Sequence, residues 1–243
     1  LGADKIATGH YARITHQNNA YQLRTGLDGN KDQSYFLYLL GQYQLSKSLF
    51  PLGEISKTRV REIATEYDLI TADKKDSTGI CFIGERNFSE FLQTYLPNQP
   101  GNMVDEHGQV IKQHQGLAFY TIGQRRGLNI GGYVNPLFII QTNTTTNTIY
   151  VGEGEDHKGL SRPGLLIAKD DIHWIKAVDD MKLGEAREYQ VRIRYRQPLV
   201  SAELKMTEDG LKIRFAEKQK AVAKGQFAAW YSGDVLVGSG VIN

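Results

Sequence analysis

Tyr189-Gln190-Val191-Arg192-Ile193-Arg194-Tyr195-Arg196 decides how the second half of this chain is read. Apolar and aromatic residues alternate here with one glutamine and three arginines. Successive side chains of a strand point to opposite faces, so the run predicts a half-buried β-strand. Its apolar face would meet a core, and the guanidiniums of Arg192, Arg194 and Arg196 would line the other side. Leu211, Ile213 and Phe215 keep the same period against Lys212 and Arg214. From about residue 164 onward the pattern is almost entirely β, and several short strands predict a small antiparallel barrel or sandwich. Arginine grips phosphate with a planar fork of donors and stacks on bases. A solvated outer face gives the same alternation, so the row by itself leaves both readings open.

Working outward, the first half has a different texture. Lys5-Ile6-Ala7-Thr8 predicts a short buried strand that ends at Gly9-His10-Tyr11, and ligands of open α/β sheets gather where strands end. Gly9 would let backbone approach a nucleotide, and His10 could hydrogen-bond to it; a structural histidine is the plainer alternative. Tyr21–Arg24 reads as extended. In Lys31-Asp32-Gln33, Asp32 can cap a helix over 34–40, or the three residues form a polar loop facing a substrate. Ser56 is a good N-cap, followed by a stripe of Val60, Ile63, Ala64 and Tyr67. Asn87 with Glu90 resembles a capping box, and Phe88, Phe91, Leu92 and Tyr95 share a face before Pro97. These stripes read as core. After Pro100-Gly101, Phe138–Gln141 and Ile149–Val151 predict two strands joined by a Thr/Asn-rich loop over 142–148. Gly123-Gln124-Arg125-Arg126-Gly127 places adjacent arginines among small residues, which suits a phosphate backbone or an exposed turn equally.

The 243 residues, 40% hydrophobic and 23% charged, have the composition of a soluble globular protein with two or three domains. No apolar run approaches a membrane span. A net charge of +2 says little about a nucleic-acid partner. The single cysteine excludes an intrachain disulfide and a multi-cysteine metal site, and fits a reducing, cytoplasmic setting. The histidines show no H-x-x-x-H or H-E-x-x-H spacing, so no metal site is expected. No G-x-x-x-x-G-K-[ST] or G-x-G-x-x-G loop occurs. The opening Leu1-Gly2-Ala3-Asp4 runs almost at once into a strand, which suggests a cut through a larger domain.

That cysteine, Cys81, sits in Ser77-Thr78-Gly79-Ile80-Cys81-Phe82-Ile83-Gly84, with Lys74, Lys75 and Arg86 near in sequence. Nearby cations favour the thiolate, the form that acts as nucleophile or sulfur carrier. With Ile80, Phe82 and Ile83 beside it, a small buried hydrophobe is the competing reading.

Five segments, in order, carry a resemblance: Ala7-Thr8-Gly9-His10-Tyr11-Ala12-Arg13, Lys31-Asp32-Gln33-Ser34-Tyr35, the Ser77–Gly84 run, Tyr120-Thr121-Ile122-Gly123-Gln124-Arg125-Arg126-Gly127-Leu128, and Arg194-Tyr195-Arg196-Gln197 with Gly225-Gln226. The chain resembles the bacterial tRNA-specific 2-thiouridylase family (MnmA type) over essentially its whole length. The resemblance implies a mixed α/β and β fold. Residues 1–86 would be the later part of a PP-loop (adenine-nucleotide α-hydrolase-like) ATP-binding domain, 87–163 a small central domain, and 164–243 a C-terminal antiparallel β-barrel that binds tRNA. It implies a tRNA-uridine 2-sulfurtransferase that uses ATP, with Mg2+, to adenylate the wobble uridine at C2 and then delivers sulfur from a cysteine persulfide. Cys81 matches the persulfide carrier and Gly9 an ATP contact. His10, Lys31, Asp32, Gln33, Arg194, Tyr195 and Gln226 match tRNA contacts. The implied partners are tRNAs for Lys, Glu and Gln and a sulfur-donor protein such as a cysteine desulfurase or relay protein. The family's Ser-Gly-Gly-x-Asp-Ser loop and its second cysteine do not occur in the 243 residues, so the chain alone is expected to be inactive. Two other readings stand beside this one: a non-catalytic RNA-binding module with a structural cysteine, and a thiol redox protein, which the lack of a resolving cysteine disfavours.

Overall fold

The computed structural model describes residues 2–74 and 88–243. Cys81, the other residues over 75–86 and Asn87 of the expected capping box lie outside the described residues. Two compact units emerge. One comprises Leu1–Lys74, Pro163–Glu217 and Lys224–Asn243; the other comprises Lys75–Arg162 with Lys218–Ala223.

The first unit begins with β1 (Ile6–Ala7), the hairpin β2 (Ala12–Gln17) and β3 (Ala20–Thr25), α1 (Gln42–Ser46), β4 (Ser48–Leu49) and α2 (Lys57–Glu66). β1 and β4 pair in parallel as a two-stranded sheet. The strand expected near residue 6 is therefore present, but it is not buried: Ile6 is 62% exposed, because among the described residues nothing covers this narrow ribbon. Ser56 caps α2 as expected, its Oγ accepting from Arg59 N at 3.2 Å. The stripe on α2 is only half buried and Tyr67 is exposed, so it does not form core among the described residues.

The second unit contains α3 (Phe88–Gln93) and the strands β5 (Gly101–Val104), β6 (Val110–His114), β7 (Leu137–Asn143) and β8 (Thr148–Glu153). These four strands form one sheet in the order β6-β5-β8-β7. The polar loop expected over 142–148 closes the antiparallel β7–β8 hairpin. Asn143 Oδ1 accepts from Thr145 N and Thr146 N, which is why an Asn/Thr-rich sequence suits this turn. Met103, Ile139, Ile149 and Val151 are fully buried at its core.

His114 of this unit is 2% exposed, with both ring nitrogens engaged. Gly116 N donates to Nδ1 at 3.0 Å, so the proton sits on Nε2, which faces Asn147 O at 3.1 Å. Burial lowers its pKa from the ordinary 6.5. The unfolded chain therefore binds this proton at a higher pH than the folded one. Stability from the neutral ring is complete above about pH 6.5 and declines as pH falls through and below that value. Thermal melts between pH 7.5 and pH 5 should show this loss, and His114→Gln should remove that share of the pH dependence.

After the 3₁₀ turn at Lys158–Leu160 come β9 (Ser161–Ile167), β10 (Ile172–Trp174), β11 (Ala186–Arg192), β12 (Val200–Thr207), β13 (Gly210–Lys220), β14 (Phe227–Ser232) and β15 (Val235–Val241). They form a nine-stranded sheet with β2 and β3, in the order β2-β3-β15-β14-β11-β12-β13-β9, with β10 also on β15. Period-two alternation holds where it was expected: Leu211, Ile213 and Phe215 are at most 5% exposed, and Lys212 and Arg214 face solvent. Each such buried side chain contributes roughly 1.5–3 kcal/mol.

The entry of β2 and β3 into this sheet was not expected from sequence. β3 pairs with β15 through Arg24↔Val235 and Leu23↔Leu236. Asp234, in the β14–β15 turn, locks the arrangement. Its carboxylate accepts from Arg13 Nη2 at 2.7 Å and from Arg24 Nη1 at 2.8 Å.

Candidate nucleic-acid interface

The loop that follows β3 is built around one carboxylate. Asp32 Oδ1 accepts from Gly26 N at 3.1 Å and Ser34 N at 3.0 Å. Gly26 passes so close to Tyr11 that an added Cβ would lie 2.6 Å from Tyr11 O, so only glycine fits there. Gln33 then joins the loop to the end of the β1 segment: Tyr11 N donates to Gln33 Oε1 at 3.0 Å, and Gln33 N donates to Tyr11 O at 2.9 Å. The Asp32 turn opens a 3₁₀ helix over Ser34–Leu37, shorter than the helix expected over 34–40.

The other carboxylate oxygen of Asp32 reaches across the unit. Arg192 Nη1 donates to Oδ2 at 2.9 Å, and the two side chains are 11% and 3% exposed. The guanidinium also lies 5.5 Å from the centre of the Tyr231 ring, and Tyr231 Oη is 3.2 Å from Ser34 Oγ. Burial pushes the Tyr231 phenol up to about 12, so it keeps its proton at neutral pH. Arg192 Nε is buried without a hydrogen-bond partner among the described residues. Aromatic contacts extend the junction. Phe36 meets Tyr195 at 4.5 Å, Tyr38 stacks on Phe227 at 4.0 Å, and Tyr35 Oη donates to Phe227 O at 2.9 Å. The segments holding Lys31–Gln33, Arg194–Tyr195 and Gln226 are thus neighbours within one unit.

Within this junction the individual residues are placed differently. Asp32 is buried, Lys31, Gln33 and Tyr195 are half buried, and Arg194 and Gln226 are exposed. Gln226 O accepts from Ile242 N, which fixes its backbone. Gly9 is exposed, and a Cβ there would meet only Leu52 Cδ1 at an ordinary 3.8 Å, so packing does not demand glycine at this position. His10 Nδ1 lies 2.8 Å from Thr8 Oγ1, and the ring meets Phe50 edge-on at 5.9 Å. Burial lowers its pKa, so at neutral pH it offers a neutral hydrogen-bonding ring rather than a cation.

The expected row of three arginines is corrected. β11 stops at Arg192, because the chain turns at Arg194–Gln197 ahead of Pro198. Gln197 Oε1 accepts from Ile193 N at 3.0 Å, and Arg196 takes a left-handed φ of 62°. Arg192 points inward to Asp32, while Arg194 and Arg196 are exposed on the turn, with Arg196 lying 5.2 Å from the centre of the Tyr195 ring. The Asp32–Arg192 pair itself was missed. Its members are 160 residues apart, and nothing local in either segment signals the other. Among the described residues no group of three His, Cys, Asp or Glu could hold a metal ion.

Comparison with known proteins matches three family models in sequence. Residues 1–85 match the tRNA methyl transferase HUP domain, 89–153 the tRNA methyl transferase PRC-barrel domain, and 165–242 the aminomethyltransferase beta-barrel domain. A Flavobacterium johnsoniae protein named tRNA-specific 2-thiouridylase MnmA is 44% identical, across all of this chain and 71% of its own length. The chain belongs to the MnmA family. Proteins of the same name from Vesicomyosocius okutanii and Haemophilus ducreyi are 53% and 46% identical over the whole chain. Against the Vesicomyosocius MnmA the chain spans 66% of the relative's length, about two thirds. The fold is mixed α/β and β, as the MnmA resemblance implied.

Proposed function

We propose that this chain is the part of a tRNA-uridine 2-sulfurtransferase that holds the tRNA and carries the sulfur. What supports the reading is the junction of Lys31–Gln33 with Arg194–Tyr195 and Gln226, formed from segments far apart in sequence, in a chain whose relatives are named tRNA-specific 2-thiouridylases. Exposed Arg194 supplies charge for phosphate, half-buried Tyr195 a ring for stacking, and Gln226 and Gln33 amides for hydrogen bonds. Lys31 adds charge at the loop tip. His10, neutral at pH 7, suits a base edge better than a phosphate. Asp32 shapes the loop and engages tRNA only through its backbone and neighbours. Gly9 gives ATP a close backbone approach at the end of β1.

In this reading the division follows residues 1–86, 87–163 and 164–243, with ATP handled by the first, and the protein works in the cytoplasm. The uracil C2 carbonyl is a poor electrophile. Its oxygen attacks the α-phosphate of ATP, releasing pyrophosphate and leaving an adenylate at C2. The terminal sulfur of a Cys81 persulfide then attacks C2 and AMP departs with the oxygen, leaving a C2–S–S–Cys81 link. A second cysteine thiolate, which the family resemblance implies and these 243 residues do not contain, attacks Cys81 Sγ, so that the 2-thiouridine is released and a disulfide remains for an external thiol to reduce. The wobble uridines of tRNAs for Lys, Glu and Gln are the substrates, and a cysteine desulfurase or relay protein charges Cys81. The 243 residues contain no Ser-Gly-Gly-x-Asp-Ser loop and no second cysteine, so alone they bind tRNA without thiolating it.

Titration of unmodified tRNA against the chain at several salt concentrations tests this. Binding should weaken steeply with salt, and Arg194→Gln should make the slope shallower by about one. Thiolation by these 243 residues with ATP and a persulfide donor, or no tRNA binding at all, would count against the proposal.

A further inference from the structure

We infer that the turn Gly123-Gln124-Arg125-Arg126-Gly127 of the second unit is a separate docking point for the RNA phosphate backbone. The inference rests on the reading of the chain as a tRNA-binding protein, and none of the residues already placed at the interface takes part in it.

Three observations carry it. First, the turn is rigid. Gly123 N donates to Ile139 O at 2.7 Å and Ile139 N to Gln124 O at 3.0 Å, which fastens it to β7. Gln124 closes it from inside: its Oε1 accepts from Thr121 N at 3.0 Å, and its Nε2 donates to Arg126 O at 2.9 Å. Gly123 has a φ of +84°, and a Cβ there would lie 2.5 Å from Ala221 Cβ, so the turn has one packed conformation. Second, the two guanidiniums are unused. Arg125 and Arg126 are exposed and make no ion pair or hydrogen bond through their side chains among the described residues. A third cation is fixed close by, where Lys112 Nζ donates to Leu128 O at 2.8 Å and Asn129 O at 3.3 Å. Third, the surrounding sequence does not neutralise them. From His107 to Gly152 the chain contains no Asp or Glu, while Lys112, Arg125 and Arg126 supply three positive charges.

Arg59 on α2, by contrast, is paired with both Glu62 and Glu66. Here no acidic residue occurs between His107 and Gly152, and the backbone that carries the two arginines is fixed by hydrogen bonds to β7. Unpaired guanidiniums on a fixed turn suit an extended polyanion, whose phosphates recur at a spacing that two adjacent arginines can bridge. An acidic protein is the other class of partner such a surface could meet. RNA is favoured because its phosphates recur regularly along one backbone, so that two adjacent guanidiniums can engage neighbouring phosphates, whereas acidic side chains of a protein are scattered.

The test is the salt dependence of tRNA binding by the whole chain, wild type against the double variant Arg125→Gln/Arg126→Gln and against Arg125→Lys/Arg126→Lys. Both arginines are exposed, so melting temperatures should agree among the three proteins. The glutamine variant should bind more weakly, with a log–log salt slope shallower by about two, and the lysine variant should recover most of that slope. Unchanged affinity and slope in the glutamine variant, with the wild type binding normally, would overturn the inference while leaving the proposed function intact, and would point to an acidic protein instead. Failure of the wild type to bind tRNA would overturn both.

Discussion

Asp32→Ala should destabilise the first unit by about 3–5 kcal/mol, the cost of leaving one member of a buried ion pair behind. Three consequences add up at this site. Arg192, 9% exposed, loses its counter-ion, and Gly26 N and Ser34 N lose their common acceptor. Each orphaned buried donor costs about 1–3 kcal/mol where water cannot reach it. For a domain of this size the melting temperature should fall by roughly 6–20 °C. tRNA affinity should fall with it, although the carboxylate faces the protein interior, because Lys31 and Gln33 lose their frame. A second variant separates framing from direct contact. In Asp32→Asn/Arg192→Met the buried charge is gone, the side-chain amide oxygen can still accept from both backbone donors, and most of the stability should return. Urea denaturation of the single and double variants measures this. A loss below about 1 kcal/mol for Asp32→Ala would show that the pair does not hold the loop.

Cys81→Ser, made in an enzyme that carries this segment together with an ATP-binding loop, should reduce wobble-uridine thiolation on the order of a thousandfold or more. A thiolate accepts a sulfane sulfur to become a persulfide, and the terminal sulfur is then both nucleophilic and transferable. A serine hydroxyl ionises only far above neutral pH and forms no persulfide, so the sulfur has no carrier. tRNA binding should be unchanged, since the substitution removes no charge and alters volume little. Nucleoside mass spectrometry of tRNA gives the first quantity and a filter-binding titration the second. Normal thiolation in the variant would remove Cys81 from the pathway. Loss of binding and thiolation together would return the cysteine to a structural role.

Several local patterns in the sequence reported local structure faithfully. Leu211, Ile213 and Phe215 alternate with charged residues, and β13 buries them as that alternation requires. Ser56 stands before a helix and caps it. The Asn/Thr-rich run over 142–148 closes a hairpin through the Asn143 side chain. Some local expectations failed, since the helix over 34–40 is only a 3₁₀ turn at Ser34–Leu37 and the α2 stripe is half buried, and two further failures depended on the chain's wider context. Arg192 reads as one more outward guanidinium, yet Asp32, 160 positions earlier, draws it inward. Alternation alone would continue β11 through Arg196, but Gln197 satisfies Ile193 N and bends the chain. The candidate site was legible as a set of motifs, while its geometry was not, because the pairings Asp32–Arg192, Tyr35–Phe227 and Phe36–Tyr195 join segments with no mutual sequence signal.

The pairing of β3 with β15 also sets an order of events during synthesis. The hairpin of β2 and β3, complete at Thr25, cannot make its pairing with β15 until Leu236 has left the ribosome. The sheet of β5–β8, whose strands all fall between residues 101 and 153, can close long before then. Nascent chains should therefore show protease resistance of the β5–β8 sheet before that of β2, β3 and the strands they join.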